Sequence, residues 1–272
     1  MSSNLSGKRA ETMITSSSNS LIKRIRKLEQ KKFRMKDGSG FVEGLRGVLT
    51  AAEYANHLIE KVIIAPDLLT QDQGAARLHE LVESELMVEV SAEVFRSLSD
   101  RDNPAGMGAL VRSPLISLPF FSSSKPNSLF IILDRVSDPG NLGTIIRTAD
   151  AVGAAGIILT GLGVDIMHPS ALKASLGTAF TLPICHTTPH ELASWKIANN
   201  VSFVGTSAKK YTHYKETELR GSVGLLLGNE REGLSDELIN LADQVVTIPM
   251  AGQASSLNLA VAAGILMFEF QR

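Results

Sequence analysis

Three stretches of this sequence place polar residues directly after an apolar run, where a strand would hand over to a helix. The first is DRVSDPGNLGTIIRTAD (134–150), in which a Pro-Gly turn leads to Asn141, and Arg147 follows six residues on. Asparagine at that point either caps the helix or offers its amide to a ligand, and Arg147 is either a surface residue or a cation aimed at one. The second is LLLGNEREGLS (225–235). Gly228 would let the backbone approach a ligand closely, and Glu230 would orient a base or pair with an arginine; otherwise the stretch is an ordinary strand–turn–helix connection. The third is IPMAGQASSLNLAVAAG (248–264), a small-residue loop that begins after Pro249 and brings Ser256 and Asn258 to the start of an apolar helix. These two are either caps or a pair able to bind substrate oxygens.

Other chemistries lack their signatures. There is no G-x-G-x-x-G and no Walker lysine, so neither a dinucleotide-dependent dehydrogenase nor a P-loop enzyme is supported. The six histidines show no H-E-x-x-H or Cys/His ligand spacing, and no metal site is expected. No G-x-S-x-G elbow is present. Cys185 is the sole cysteine, which rules out an internal disulfide and suits a reducing, cytoplasmic location. The N-terminal residues carry no apolar leader. The longest charge-free apolar stretch, residues 151–164, has 14 residues and four glycines, too short for a membrane span.

The elements that would position these residues alternate between strand and helix. Over 272 residues, 44% apolar and 20% charged, a large core is affordable without metals or cross-links. From Ser128 onward, strands are expected at 129–134, 156–160, 182–186, 201–207, 222–230 and 244–250. Helices are expected at 141–152, 169–176, 189–199, 235–241 and 257–270. Near-continuous apolar strands alternating with helices imply a parallel sheet covered on both faces. Ligands of such sheets bind beyond the carboxyl ends of the strands, which is where all three polar stretches fall.

The first part of the chain reads as a smaller α/β unit. Residues 1–12 are polar and read as a disordered tail. One helix, capped by Ser18 or Asn19, is expected through SLIKRIRKLEQKKFRMK, ending at Asp37-Gly38-Ser39-Gly40. Further strands are expected at Phe41-Val42, 61–66, 87–91 and 108–111, with helices at 45–57, 73–84 and 92–98. Residues 113–127 hold many serines and prolines and read as a linker, with Phe120-Phe121 packing back onto a domain. Charge is uneven. Between Leu21 and Lys36 stand eight basic residues and one acid, whereas the rest of the chain has 19 basic and 27 acidic residues. Such a segment suits a polyanion, or is simply a solvated helix face.

Together the three polar stretches resemble the three motifs of the SpoU (TrmH-like) RNA ribose 2′-O-methyltransferases of the SPOUT superfamily. The matching runs are DPGNLGTIIRTADAVGA, LLLGNEREGLS and IPMAGQASSLNLAVAAGILMFE. HPSALKASLGTAFTLPI resembles a further family segment, with Lys173 in place of an arginine and Thr178 in place of an alanine. The N-terminal part, with its Phe41-Val42-Glu43-Gly44 step, resembles the family's substrate-binding domain, an L30e/L7Ae-like fold. The nearest subgroup by resemblance is the bacterial 23S rRNA guanosine 2′-O-methyltransferases, through IPMAG and SSLN.

The resemblance implies an α/β SPOUT-type parallel sheet with a C-terminal trefoil knot, threaded after about Gly221, behind a small L30e/L7Ae-like domain. It implies the division 13–112 for RNA binding, 113–127 as linker and 128–272 for catalysis. S-adenosyl-L-methionine would be the cofactor, held at Gly205, Thr206, Gly228, Ile248 and Leu257. The catalytic set would be Arg147, Asn141, Glu230, Ser256 and Asn258. Arg147 would act either as the base for the ribose hydroxyl or as a cation facing the developing alkoxide. Asn141, Ser256 and Asn258 would hold the ribose or Arg147, and Glu230 would orient the loop or Arg147. Lys23, Arg24, Arg26, Lys27, Lys31, Lys32 and Arg34 would contact RNA phosphates. The partners implied are RNA, rRNA ahead of tRNA, and a second copy of the chain docked through the small-residue face of the terminal helix. Rival readings are a tRNA 2′-O-methyltransferase, a thiostrepton-type resistance rRNA methyltransferase and a non-catalytic RNA-binding protein.

Overall fold

A computed structural model describes residues 13–69, 72–122, 125–209 and 211–271. The expected tail, residues 1–12, lies outside them. The chain divides into two compact units, with the boundary between Arg112 and Ser113.

The first unit runs α1 (Ser20–Lys27), α2 (Lys31–Asp37), β1 (Ser39–Glu43), α3 (Leu45–Tyr54), β2 (Ile59–Ile64), α4 (Asp72–Leu81), β3 (Met87–Glu89), α5 (Ala92–Arg96) and β4 (Met107–Arg112). Its four strands lie in the order β1-β4-β2-β3; β4 is antiparallel to both neighbours and β3 parallel to β2. Ile22, Ile25 and Leu28 pack with Ile63, Val90, Val94, Phe95 and Leu110. Asn19 caps α1 by accepting from the Leu21 amide.

The single helix expected over 20–36 is two helices. It breaks at Leu28–Gln30, although no glycine or proline stands there. The reason is Arg34, which is 3% exposed and donates to the carbonyls of Leu28 (2.8 Å) and Glu29 (2.7 Å). The carbonyls freed at the end of a helix need donors, and a guanidinium from the next helix supplies them. Gly38 then ends α2 at φ 74°, the left-handed conformation common at helix C-termini.

The second unit runs β5 (Leu115–Ile116), β6 (Leu129–Asp134), α6 (Pro139–Ala151), β7 (Gly156–Thr160), α7 (Pro169–Ser175), β8 (Ile184–Thr187), α8 (Pro189–Ala198), β9 (Val201–Thr206), β10 (Thr212–His213), β11 (Ser222–Leu227), α9 (Asp236–Leu241), β12 (Gln244–Thr247) and α10 (Leu259–Phe270). All eight strands are parallel, in the order β10-β12-β9-β11-β6-β7-β8-β5. Every residue of β6 and β7 is buried, as a sheet covered on both faces requires. Phe121, Phe130, Ile132, Trp195, Phe203 and Leu226 form much of the core.

The stretch 113–127 is not a free linker. Leu115 and Ile116 pair with Ile184 and Cys185 as an edge strand. Phe121 is buried against Phe130 and Trp195, and its carbonyl accepts from the Trp195 indole at 2.6 Å; Phe120 remains exposed. The edge strand β10 had no sequence signal strong enough to predict it. Cys185 is buried in the core, and desolvation pushes its thiol up to about 12, so it is not poised as a nucleophile. Among the described residues, no helix is long and apolar enough to cross a membrane.

Candidate active site

The three polar stretches meet at the carboxyl end of the second unit's sheet. Asp138 caps α6, its side chain accepting from the Asn141 amide at 2.6 Å. Asn141 is therefore not the cap; it sits one turn inside, with its buried side chain available for tertiary hydrogen bonds. Asn141 Nδ2 donates to Glu230 Oε1 at 3.0 Å. Asn141 Oδ1 accepts from Asn258 Nδ2 at 3.0 Å. Asn258 in turn caps α10, its Oδ1 accepting from the amides of Ala260 and Val261. The helix expected from Leu257 thus begins at Leu259, because Asn258 occupies the capping position.

Glu230 is clamped on both oxygens. Oε2 accepts from the Ser137 amide (3.1 Å) and hydroxyl (2.7 Å), and Oε1 accepts from the Asp138 amide (3.1 Å) as well as from Asn141. Partial burial disfavours the charged carboxylate, but the donors from Asn141, Ser137 and the backbone outweigh it, and the group is held down at about 2. Among the described residues Glu230 pairs with no arginine. A carboxylate held so low, clamped by donors from the first polar stretch, suits organising the loop and is a weak base at neutral pH.

A second set of contacts bolts the same two loops together. Arg135, in the left-handed region at φ 52°, contacts Asp134 and Glu232. Asn229 donates to the Arg135 carbonyl at 2.8 Å and accepts from the Arg231 and Glu232 amides. Asp134 accepts from the Ser235 amide at 2.8 Å. Ser137, Arg135 and Asn229 went unpredicted. The only sequence signal for them is their nearness to the Asp-Pro-Gly turn and the Gly-Asn-Glu run. Gly228 is required by this loop: a Cβ there would stand 2.1 Å from the Leu234 amide nitrogen and 2.2 Å from the Gly233 carbonyl carbon.

The remaining expected residues lie apart from this hydrogen-bonded chain. Arg147 is exposed on α6, with no ion pair or hydrogen bond among the described residues, so it stands outside the hydrogen-bonded set of Asn141, Glu230 and Asn258. Ser256 is exposed in the loop before α10 and has no partner among the described residues. The expected cofactor residues share one edge. Gly205 lies opposite Leu226 of β11 and Val245 of β12, so the carboxyl ends of β9, β11 and β12 are adjacent. Thr206, Gly228 and Ile248 sit at those ends, and Thr206 donates to the Leu226 carbonyl at 2.9 Å. Leu257, 36% exposed, stands just before α10. Gly205 is packed tightly, since a Cβ there would lie 3.2 Å from Ala242 Cβ. Among the described residues no cluster of His, Cys, Asp and Glu could hold a metal.

The basic segment of the first unit divides by role. Arg34 is buried and structural. Arg24 is engaged with Asp37 at 2.6 Å and Glu60 at 2.8 Å, and Arg26 donates to the Ser97 hydroxyl. These three arginines have partners within the unit. Lys23, Lys27, Lys31 and Lys32 are exposed.

A parallel α/β sheet whose polar loops converge past its carboxyl edge defines a ligand-binding class of domain. Residues 128–268 match the model of the SpoU rRNA methylase family, and the chain belongs to that family. Residues 19–109 match the MRM3-like substrate binding domain. The chain is 29% identical to the 23S rRNA (guanosine(2553)-2′-O)-methyltransferase of Bacillus subtilis, covering 95% of this chain and 98% of that one. It is 30% identical to the 23S rRNA (uridine(2479)-2′-O)-methyltransferase of Streptomyces viridochromogenes, covering 88% and 84%. The crystal structure of an AdoMet-bound rRNA methyltransferase from Sinorhizobium meliloti superposes with a TM-score of 0.84 at 36% identity, covering 95% and 96%.

Proposed function

We propose that this protein is an S-adenosylmethionine-dependent methyltransferase acting on a ribose 2′-hydroxyl of 23S rRNA. The observation that carries this is the hydrogen-bonded chain Glu230–Asn141–Asn258, which ties the three family segments into one site. When bound, S-adenosylmethionine supplies a methyl carbon on a sulfonium. Gly205, Thr206, Gly228, Ile248 and Leu257 are the residues assigned to hold it. Three adjacent strand ends, with exposed apolar groups and backbone amides, suit an adenosine better than a charged headgroup.

The protein's own task is to orient the ribose and meet the charge that develops there. The 2′-oxygen would gain the methyl as the methyl–sulfur bond breaks to leave a neutral thioether, and its proton would pass to solvent or to Arg147 acting as base. Arg147 is assigned to that oxygen or the neighbouring phosphate, because it is exposed and has no acidic partner among the described residues. Asn141 and Asn258 form a preorganised polar edge, and Glu230 fixes it. Ser256 is assigned to the ribose hydroxyls.

The finer fold reading belongs to the same proposal. From β12 the chain returns past β9 and β11 to place Asn258 on Asn141 of α6, beside β6. This return supports a trefoil knot beyond about Gly221. Residues 13–112 are assigned to RNA binding in an L30e/L7Ae-like fold, and the cytoplasm is the proposed location. We also propose a homodimer, but through a different face of α10 than the small residues suggest. Ala260, Ala263, Leu266 and Met267 are buried within the chain, whereas Val261, Ile265 and Phe268 are exposed at i, i+4 and i+7.

The test is to incubate the protein with radiolabelled S-adenosylmethionine and bacterial rRNA lacking 2′-O-methyl marks, then digest with alkali. Label in alkali-resistant dinucleotides from 23S rRNA is expected. Label in ordinary nucleotides would mean base methylation and overturn the assignment of Arg147. Absence of both label and cofactor binding would favour a non-catalytic RNA-binding protein.

A further inference from the structure

The first unit carries a cleft of about 510 Å³ between α1 and α2. Ser20, Lys23, Arg24 and Lys27 line it from α1, spaced i, i+3, i+4 and i+7, so they share one helix face. Phe33, Lys36 and Asp37 line it from α2, and Leu28 from the break between them. Arg24 and Asp37 neutralise each other across the cleft at 2.6 Å. Lys23, Lys27 and Lys36 have no carboxylate partner among the described residues, so the charge left for a ligand is positive. The wall beneath them is apolar, made of the half-buried Phe33 ring and the lysine stems, with Leu28 buried behind. Lys32 Nζ lies 4.8 Å and Lys27 Nζ 5.8 Å from the Phe33 ring centre, so these ammoniums reach both the ring and any anion beside it.

A flat apolar wall rimmed by cations fits a ligand that is flat and anionic at once. A bare phosphate has no use for the ring. A duplex hides its base faces and is too broad for a space within the roughly 300–1,000 Å³ of small-molecule sites. A bilayer would need exposed apolar side chains, and among the described residues of these two helices Met35 is the only large one. We propose that the α1–α2 cleft takes one unstacked nucleotide of single-stranded RNA, its base against Phe33 and its flanking phosphates on Lys23, Lys27 and Lys36. This deepens the RNA-binding role assigned to residues 13–112 and rests on it. The site selects splayed-out bases and is tolerant of sequence, because every base has a stacking face.

The test uses the full chain and four probes: a fluorescent oligoadenylate, an RNA duplex, inorganic polyphosphate and anionic phosphatidylserine vesicles. The double variant Lys23→Glu/Lys36→Glu should weaken oligoadenylate and polyphosphate binding together. Its plot of log affinity against log salt should flatten by about one per lysine. Phe33→Leu should weaken oligoadenylate about tenfold and leave polyphosphate unchanged, while Phe33→Tyr should keep both. A thermal melt confirms that each variant folds. Equal loss of both probes in Phe33→Leu would reduce the cleft to an anion patch. No loss in any variant would place RNA elsewhere. Tighter binding of the duplex, or of anionic phosphatidylserine vesicles, than of oligoadenylate would also overturn the proposal. None of these readouts involves methyl transfer. A wild-type chain that binds oligoadenylate through Phe33 but never methylates rRNA would sink the enzymatic reading alone. Normal methylation with Phe33-independent binding would sink this one alone.

Discussion

Asn141 stands between Glu230 and Asn258, donating to one and accepting from the other at 3.0 Å each. Its amide is thereby fixed in orientation, which a lone cap would not achieve. Asn141→Asp replaces the donor facing Glu230 with a second carboxylate, so like charges meet. It should therefore lower kcat/KM further than Asn141→Ala does. Losing one such hydrogen bond costs about 1–3 kcal/mol, so the alanine variant should fall about ten- to a hundredfold. Steady-state kinetics on the two variants checks the order; equal activity in wild type and Asn141→Asp would remove this chain from the reaction.

Arg147 is exposed and makes no ion pair or hydrogen bond among the described residues. Arg147→Ala should thus leave stability within about 0.5 kcal/mol of wild type. It should leave S-adenosylmethionine binding unchanged and cut methyl transfer by about a hundred- to a thousandfold, the scale of losing a charge-stabilising group. Calorimetric titration of the cofactor beside the methylation assay separates these effects.

Much of this architecture is legible in the sequence, because parallel strands buried on both faces read as unbroken apolar runs such as LFIILD. The site is legible only in part. Asn141, Glu230 and Asn258 announce themselves at strand ends, but which of them touch is a tertiary fact. The capping roles fall to Asp138 and Asn258, and no local pattern distinguishes Asn141 from a cap. The helix break at Leu28 is illegible for a similar reason. Its determinant, Arg34, lies one turn into the next helix and looks like any other cation in a basic run. The small face of α10 misleads because close packing of small residues serves α6 within the same chain; a Cβ on Gly264 would lie 4.0 Å from Thr148 Cγ2.

The division of the basic segment predicts opposite phenotypes within one run of charges. Arg34→Ala leaves the Leu28 and Glu29 carbonyls without their donor. It should destabilise the protein by about 1–3 kcal/mol in denaturant unfolding. Lys32→Ala removes an exposed ammonium that sits over Phe33 at 4.8 Å; it should leave stability nearly unchanged and weaken RNA binding in a salt-dependent way. The reverse pattern would mean that Arg34, not the lysines, faces RNA.

The exposed stripe of α10 predicts the oligomer. Phe268 is 60% exposed and Val261 52% exposed on a helix whose other side is buried. Phe268→Asp would place a charge in the centre of a desolvated interface. It should convert a dimer to a monomer by light scattering while the far-ultraviolet circular dichroism stays unchanged. A wild-type chain that is already monomeric at micromolar concentration would discard the dimer.

Glu230 predicts how stability falls in acid. Its carboxyl is ordinarily near 4.5 and is held at about 2 in the folded protein by its donors. A group whose folded value is depressed stabilises the fold above its unfolded value and loses that contribution as pH falls toward the folded one. The window is therefore between 4.5 and about 2. Glu230→Gln cannot titrate, so the stability gap between wild type and variant should be full at about pH 6 and clearly narrower at about pH 3. The group lies at an exposed loop, so solvent screens part of the effect and the gap should shrink in high salt. Parallel thermal melts at the two pH values decide it. A gap that stays constant would mean that the four donors around Glu230 position a loop without favouring its charge.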